Sequence, residues 1–353
     1  LAGDAVISYG LADNFLSGQT FVEMLETTYV AFRRAIDLMV RNTTCPCNAC
    51  RNIPSLDLKF FVHYGEFGVQ KLDAHDELIG SDVNLLHRLL KNSVREKTGV
   101  DAYTLYSEPA VKQLGLEASL GGMVAHEETY EHLGAVKVWV QDMHAVWERE
   151  KGKVQLTITS ERTLVALATD IRLPPELVWD YLGQPAFFNV LVGGNRIEVG
   201  GRKAGRIAPG SVFECFHGDN AQISQMVLEW HPFERMLFQF VAPVPVKGVT
   251  GMVEVRLESI PAGTQLTQTF SKSTGPLAGR LMGDFGMKQM VEKGGQGDID
   301  RFAREIEADW AAHGGNNTAS APAEAAVGAA ALESLSAARS ALVENFTDPE
   351  AAR

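Results

Sequence analysis

The chain has 353 residues, of which 45% are apolar and 22% are charged, and its formal net charge is −12. Such a composition is typical of a globular protein of about two domains. The acidic balance, without a long Lys/Arg run, argues against a nucleic-acid surface and weakly against anionic membranes. No apolar run approaches the roughly 20 residues that span a bilayer, and no secretory signal pattern is present.

The first residues predict a strand that follows a turn. Val6, Ile7 and Tyr9 form a short β-type run after Gly3-Asp4, and the chain begins with Leu rather than Met. From local sequence alone, Asp4 is a turn residue. We expect that the true start of the protein, with a preceding strand, is missing. Apolar residues at helical spacing then predict a helix over residues 18–41.

Three of the four cysteines lie within six residues, at Cys45, Cys47 and Cys50. This is no disulfide framework, and it favours a reducing, cytoplasmic compartment. Thiols at this spacing can surround a tetrahedral zinc ion, but a closed structural site needs four ligands. Cys215 is distant in sequence, and no nearby His is assigned as the fourth. Two interpretations of the cluster therefore remain, a structural zinc site and a turn with reduced thiols. Iron–sulfur ligation fits less well.

The stretch from residue 60 to 94 predicts a strand, a polar loop and a helix that opens at Ser81 or Asp82. The strand, over residues 56–62, is apolar and is expected to be buried. In the helix, Asn84 and Arg88 are four residues apart and share one face. Amide and guanidinium donors of this kind suit phosphate oxygens. The simpler interpretation is an amphipathic helix with a solvated basic edge, which Lys91 and Arg95 continue.

His63, at the end of this strand, is a candidate ligand or base, although a satisfied position in a core turn is the commoner role. Beyond the helix, the pattern predicts a strand over residues 101–107, a short helix over 109–116 and a final strand over 130–140. The charged residues 148–153 indicate a linker, which we place at residues 148–160.

The chain contains, in this order, a strand, the motif His-x-Gly-Glu, a loop and the motif Gly-x-x-Val-Asn-x-x-x-Arg. This order resembles the class III nucleotide cyclase domain, as does the Leu-Gly-x-Val-Lys strand at 133–137. The resemblance implies a ferredoxin-like α+β domain over residues 1–147 that works as a homodimer on a nucleoside triphosphate. It implies that Asp4 binds Mg²⁺ or Mn²⁺, that Asn84 positions the ribose and that Arg88 stabilises the transition state.

Glu77, three residues before Gly80, falls at the position that helps to select the purine base in that family. It matches neither the adenylate nor the guanylate type, and locally it is also a solvated loop carboxylate. The second metal carboxylate of the family lies upstream of the first residue given. With one carboxylate for two divalent ions, we expect the chain as given to be weakly active or inactive.

The second half has a different pattern. It predicts a strand over residues 163–171, a helix from the Pro174-Pro175 pair, antiparallel strands and a helical region over 277–313 that is interrupted at 293–297. The five antiparallel strands are expected at residues 211–217, 222–230, 235–241, 252–260 and 264–271. Residues 314–353 are predicted to form an Ala-rich flexible tail.

This order, with Leu-Pro-Pro-Glu-Leu-Val-Trp-Asp at 173–180, resembles the START-like, or SRPBCC, helix-grip fold, to which polyketide cyclases belong. The resemblance implies that residues 161–313 enclose an apolar cavity for a hydrophobic small molecule. Cys215, His217 and His231 do not form a recognisable nucleophile–base pair. Apolar residues that either line the cavity or, more commonly, pack in the core are Phe213, Phe216, Trp230, Phe238, Phe240 and Met252.

The sequence therefore predicts an α+β protein in which a ferredoxin-like, cyclase-type domain precedes a helix-grip domain. In one interpretation it is a nucleotide cyclase whose output responds to an apolar ligand. In the other it is a non-catalytic sensor, whose first domain dimerises or binds nucleotide. A scaffold is the third option.

Overall fold

The computed structural model describes residues 5–12, 16–43, 45, 47–72, 75–153, 155–217 and 221–313. They form two compact units, residues 17–153 and 155–313, and residues 5–12 and Leu16 group with the second. Val6, Ile7 and Tyr9 lie in irregular backbone rather than in the predicted strand, and Val6 is 74% exposed. Asp4 and the predicted tail at 314–353 lie outside the described residues.

The first unit begins with the predicted long helix, whose apolar side chains recur on a buried face. Its elements are α1 (Gly18–Asn42), α2 (Asn48–Asn52), a 3-10 turn (Ile53–Ser55), β1 (Phe60–Val62), β2 (Gly68–Leu72), β3 (His75–Ile79), α3 (Ser81–Leu89), α4 (Val94–Thr98), β4 (Tyr103–Ser107), α5 (Glu108–Gln113), a second 3-10 helix (Glu117–Gly122), β5 (Val124–Tyr130), β6 (Gly134–Asp142) and α6 (Met143–Lys151).

Four strands of this unit form one sheet in the order β1–β4–β6–β5. Strand β1 is parallel to β4, whereas β6 runs antiparallel to both β4 and β5. All five residues of β4 are buried, so the core of the unit lies around this strand. The described strands establish a mixed α+β unit, and the ferredoxin-like, cyclase-type arrangement stays a prediction.

Several predicted boundaries in this unit were wrong. The predicted buried strand at 56–62 is a half-buried strand of three residues, β1, and Leu56 is 50% exposed. The predicted polar loop is a β-hairpin, β2–β3. Helix α3 ends at Leu89, so Arg95 lies on α4. The charged residues from Glu148 onward continue α6 to Lys151, where Lys151 Nζ lies 2.6 Å from Glu148 Oε1 one turn away, and the linker at residues 148–160 stays a prediction.

The second unit is built on a seven-stranded antiparallel sheet in the order β7–β13–β12–β11–β10–β9–β8. All the strands predicted here are present within two residues of their expected ends. The elements are β7 (Thr163–Ile171), α7 (Pro175–Leu182), α8 (Pro185–Leu191), β8 (Arg196–Gly200), β9 (Val212–His217), β10 (Ala221–His231), β11 (Arg235–Val241), β12 (Thr250–Ile260), β13 (Gly263–Ser271), α9 (Leu277–Met290) and α10 (Gln296–His313), after a short 3-10 turn (Ser160–Arg162).

The predicted interruption of the C-terminal helix is a single π-helical turn, at Val291–Gly295. It joins α9 and α10 without a break, and a Cβ added at Gly295 would lie 2.9 Å from Leu167 Cδ1 and 3.0 Å from Val291 Cγ1. The glycine therefore permits close packing against β7 instead of ending the helix. Helix α8 and strand β8 were not predicted. A large antiparallel sheet with a long C-terminal helix is the architecture expected for a helix-grip domain.

Candidate functional site

The exposed face of α3 forms an open groove of about 560 Å³ that is lined by Asn84, His87, Arg88 and Lys91. All four side chains are exposed, and within the described part of the chain none of them has an ion-pair or hydrogen-bond partner. The shared face of Asn84 and Arg88 is as predicted, and His87 and Lys91 add two further donors. A row of donors without a lining carboxylate suits an anion with several oxygens.

Gly80 sets the start of this helix. Its φ is +144°, in a region that side-chain-bearing residues rarely adopt, and an added Cβ would lie 3.1 Å from the carbonyl oxygen of Glu66. The backbone of residue 66 thus passes directly beside the helix N-terminus. This close approach explains why a glycine precedes Ser81.

A chain of side-chain hydrogen bonds runs through His63. Its Nδ1 lies 2.8 Å from Ser107 Oγ, and its Nε2 lies 3.1 Å from Asp82 Oδ1. The set has the residue types of a hydrolase triad, but Ser107 is fully buried, so no substrate reaches its hydroxyl. The hydrogen bond from His63, with one from the N–H of Glu66, lowers the pKa of Asp82 although burial opposes this. His63 therefore has the structural role that is commoner for such a residue.

The other two residues predicted for the nucleotide site, Glu77 and Asp4, are not among the described residues that line the groove. Glu77 is exposed on β3, opposite Gln70, and does not line the groove. Asp4 lies outside the described residues. The described lining residues contain no carboxylate, so they do not fit a Mg²⁺ or Mn²⁺ ion.

The three clustered thiols do come together. The Sγ atoms of Cys45, Cys47 and Cys50 all lie within 4.8 Å of one another, with Cys45 and Cys47 exposed and Cys50 half-buried. The N–H of Cys50 donates to Cys47 Sγ at 3.5 Å, and this bond, helped by the neighbouring thiols, lowers the pKa of Cys47 to about 7. Hydrogen bonding to Cys47 raises the pKa of Cys50 to about 11. This cluster could hold a soft metal ion.

The interior of the second unit is filled by aromatic side chains. Phe213 and Phe238 pack edge to face with ring centroids 5.3 Å apart, and Phe188 contacts both rings. All three are less than 2% exposed, so they form the core. Cys215 is buried as well and accepts a hydrogen bond from Gln225 Nε2 at 3.3 Å, while burial raises its pKa to about 12. Burial and the raised pKa therefore make it a poor nucleophile.

Helix α9 has two contrasting faces. Gly279, Gly283 and Met287 are buried, and a Cβ at Gly279 would overlap Val249. On the other side, Leu277, Leu281 and Phe285 recur every fourth residue and are 65%, 65% and 70% exposed. A row of large apolar side chains in contact with water is uncommon on a protein surface.

A buried group of charges lies on the sheet of the same unit. Arg235 is 4% exposed, and its guanidinium donates to Glu254 Oε2 at 2.7 Å, to Glu229 and to the carbonyl oxygen of Leu156 at 2.7 Å. Arg256 binds the same Glu254 from a more exposed position. These bonds fasten the segment that enters the second unit to the sheet.

Comparison with known proteins separates the two halves of the chain. Residues 162–307 match the family described as polyketide cyclase / dehydrase and lipid transport. They form a polyketide-cyclase-like domain. Residues 1–98 match a family described as protein of unknown function (DUF2652), so nothing in this match supports the nucleotide cyclase interpretation. Among the described residues, no helix is long and apolar enough to cross a membrane.

One curated relative is the uncharacterized protein Rv2561/Rv2562 of Mycobacterium tuberculosis, 40% identical over 63 residues. The match covers 18% of this chain and only 30% of the length of that relative. Solved structures that match include protein MLL2253 of Mesorhizobium loti (20% identity, 39% of this chain, 96% of that chain, TM-score 0.29). Another is protein NE0264 of Nitrosomonas europaea (16% identity, 44% and 99%, TM-score 0.33).

Proposed function

We propose that the domain at residues 162–307 binds a hydrophobic small molecule, and that the exposed face of α9 contacts it. The observation that carries this proposal is the row of Leu277, Leu281 and Phe285, each at least 65% exposed. Covering such side chains is favourable by about 25 cal/mol per Å² of apolar surface removed from water. The similarity to a family described by polyketide cyclases and lipid transport supports the same ligand class.

The test is mass spectrometry of the full chain under native conditions, followed by identification of any organic molecule released on denaturation. Titration with the fluorescent apolar probe anilinonaphthalene sulfonate measures the same surface. Phe285→Ser removes a large apolar contact of about 2 kcal/mol, so binding weakens at least about tenfold. Val241→Ser is the control, since Val241 is 55% exposed on a strand of the same unit. Equal probe binding by both variants, with no released molecule, excludes this function.

A second candidate function is favoured by the groove on α3. We propose that Asn84 and Arg88, with His87 and Lys91, bind the phosphate groups of a nucleoside triphosphate. The donors carry no competing partner among the described residues, and phosphate oxygens accept several hydrogen bonds at once. The roles implied by the resemblance to nucleotide cyclases, ribose positioning by Asn84 and charge stabilisation by Arg88, belong to this proposal. The proposal does not include a reaction step that involves a metal ion.

Calorimetric titration with ATP and with GTP tests the second candidate, with an assay for cyclic nucleotide in the same samples. Arg88→Ala removes charge-assisted hydrogen bonds of about 2 kcal/mol, and affinity falls at least about tenfold. Arg95→Ala is the matched control, because this exposed arginine pairs with Asp101 at 2.6 Å and lies on α4. Product that depends on Arg88 supports the cyclase interpretation, and binding without product supports nucleotide binding by α3 alone. No binding of either nucleotide rejects both.

A further inference from the structure

The cluster of Cys45, Cys47 and Cys50 lies outside both proposed sites. In a tetrahedral zinc–thiolate centre the Zn–S bonds are about 2.3 Å, so neighbouring sulfur atoms are about 3.8 Å apart. The three Sγ atoms lie within 4.8 Å of one another, and therefore have to close by no more than about 1 Å. We propose that these three thiols bind one zinc ion as thiolates, and that its fourth coordination position is open.

The loop that carries the thiols is anchored at both ends. At its start, the N–H of Thr43 donates to the carbonyl oxygen of Met39 at 2.9 Å, which continues the hydrogen bonding of α1. At its far end, Asp57 accepts from Tyr29 Oη at 2.8 Å, and Tyr29 belongs to α1. Both described ends of this segment are therefore hydrogen-bonded to α1, which shortens the length of chain that has to be ordered when a metal joins the thiols.

The backbone within the cluster also suits thiolates. Cys47 precedes α2, and its Sγ accepts the N–H of Cys50 at 3.5 Å. Hydrogen bonds from backbone N–H groups to a ligating sulfur stabilise its negative charge and hold its direction. The sulfur of Cys47 is therefore oriented before the metal binds.

The open fourth position follows from what surrounds the cluster. Among the described His, Cys, Asp and Glu residues, no fourth one joins this group. Cys215, the remaining cysteine, is buried in the other unit with Gln225 as its donor. Since Cys45 and Cys47 are exposed, water or a small thiol reaches the metal directly. This site differs from a closed structural zinc site, in which four protein ligands exclude solvent.

The experiment uses the reduced, chelator-treated full chain, titrated with zinc in competition with a chromophoric chelator, and separately with Co²⁺. We expect one metal per chain and thiolate-to-cobalt charge-transfer absorption, which shifts without loss of metal when a small exogenous thiol is added. Cys47→Ser weakens binding by at least about tenfold, since even outer-shell partners of a metal contribute at least that much. Cys215→Ser binds as the wild type does.

The wild-type cobalt spectrum does not depend on the folding of any variant, and circular dichroism checks that Cys47→Ser is folded. Binding of less than one zinc per chain overturns the proposal. So does metal binding that survives replacement of all three clustered cysteines by Ser. A Cys47–Cys50 disulfide that is already present in the purified chain, persists under the same reducing conditions and excludes zinc also overturns it, because it assigns the thiols to redox chemistry.

Discussion

His63 Nε2 lies 3.1 Å from Asp82 Oδ1, so one hydrogen bond joins the end of β1 to the first turn of α3. The second carboxylate oxygen of Asp82 accepts the N–H of Glu66 at 2.9 Å. The other ring nitrogen of His63 contacts Ser107 at the end of β4. Strands and helix are thus fixed to each other at the N-terminus of the helix that presents Asn84 and Arg88.

Replacing His63 by Ala should loosen α3. The change removes two hydrogen bonds, one of them to a carboxylate, with a cost of about 2 kcal/mol. Hydrogen–deuterium exchange of the amides at residues 81–89 should therefore accelerate by at least about tenfold. His313→Ala, at an exposed helix end in the other unit, should leave these amides unchanged. Unchanged protection in His63→Ala would show that the hydrogen bonds do not hold the helix.

Glu128 should make the first unit sensitive to acid. Burial alone would raise the pKa of its carboxyl, but hydrogen bonds from His126 and from the N–H and hydroxyl of Ser93 outweigh burial and lower it. A lowered pKa in the folded state means that the stabilisation is complete above the ordinary value of 4.5 and is lost as the pH falls through the folded-state value.

Glu128→Gln should consequently be less stable than the wild type at pH 7, by about 1.5–3 kcal/mol. The difference in denaturant midpoint should shrink as the pH is lowered below 4.5. Glu127→Gln serves as the control, because Glu127 is exposed on the same strand. A difference that stays constant with pH would contradict the assigned role of the carboxylate charge.

Arg235 should be far more important for the second unit than Arg256, although both bind Glu254. Arg235→Met leaves the carboxylates of Glu229 and Glu254 buried without their shared cation, at a cost of about 3–5 kcal/mol. Arg256 has a side chain that is 43% exposed, and Arg256→Met should cost about 1 kcal/mol or less. Thermal unfolding followed by circular dichroism measures both. Similar melting temperatures for the two variants would refute the distinction.

Two glycines of α9 should respond to alanine in opposite directions. A Cβ at Gly279 would overlap Val249 Cγ2 and lie 2.9 Å from Val246 Cγ1, so Gly279→Ala should destabilise by about 1–3 kcal/mol. Gly286 has no neighbouring heavy atom within 4 Å, and Gly286→Ala should stabilise the helix by up to about 1 kcal/mol. Denaturant unfolding of both variants is the measurement. Stabilisation by Gly279→Ala would mean that α9 does not pack closely on residues 246–249.

The sequence by itself determined the elements whose signal is local. Helix α1, the start of α3 and the strands β7 and β11 follow from the period of apolar residues along the chain, which the backbone geometry of each element imposes. The shared face of Asn84 and Arg88 was predicted for the same reason. The match of residues 162–307 to one family accords with the order predicted for β7 and the elements that follow it.

Only the tertiary structure decided what depends on contacts between distant residues. Strands β2 and β3 form a hairpin in which they pair with each other, and this pairing is not evident from the pattern of apolar and polar residues, so the sequence predicted a loop. The glycines at 294–295 signalled a helix break, but packing against β7 made them a π turn. The partners of His63 lie 19 and 44 residues away in sequence. No local pattern encodes such pairings, since they arise only when the sheet brings the ends of its strands together.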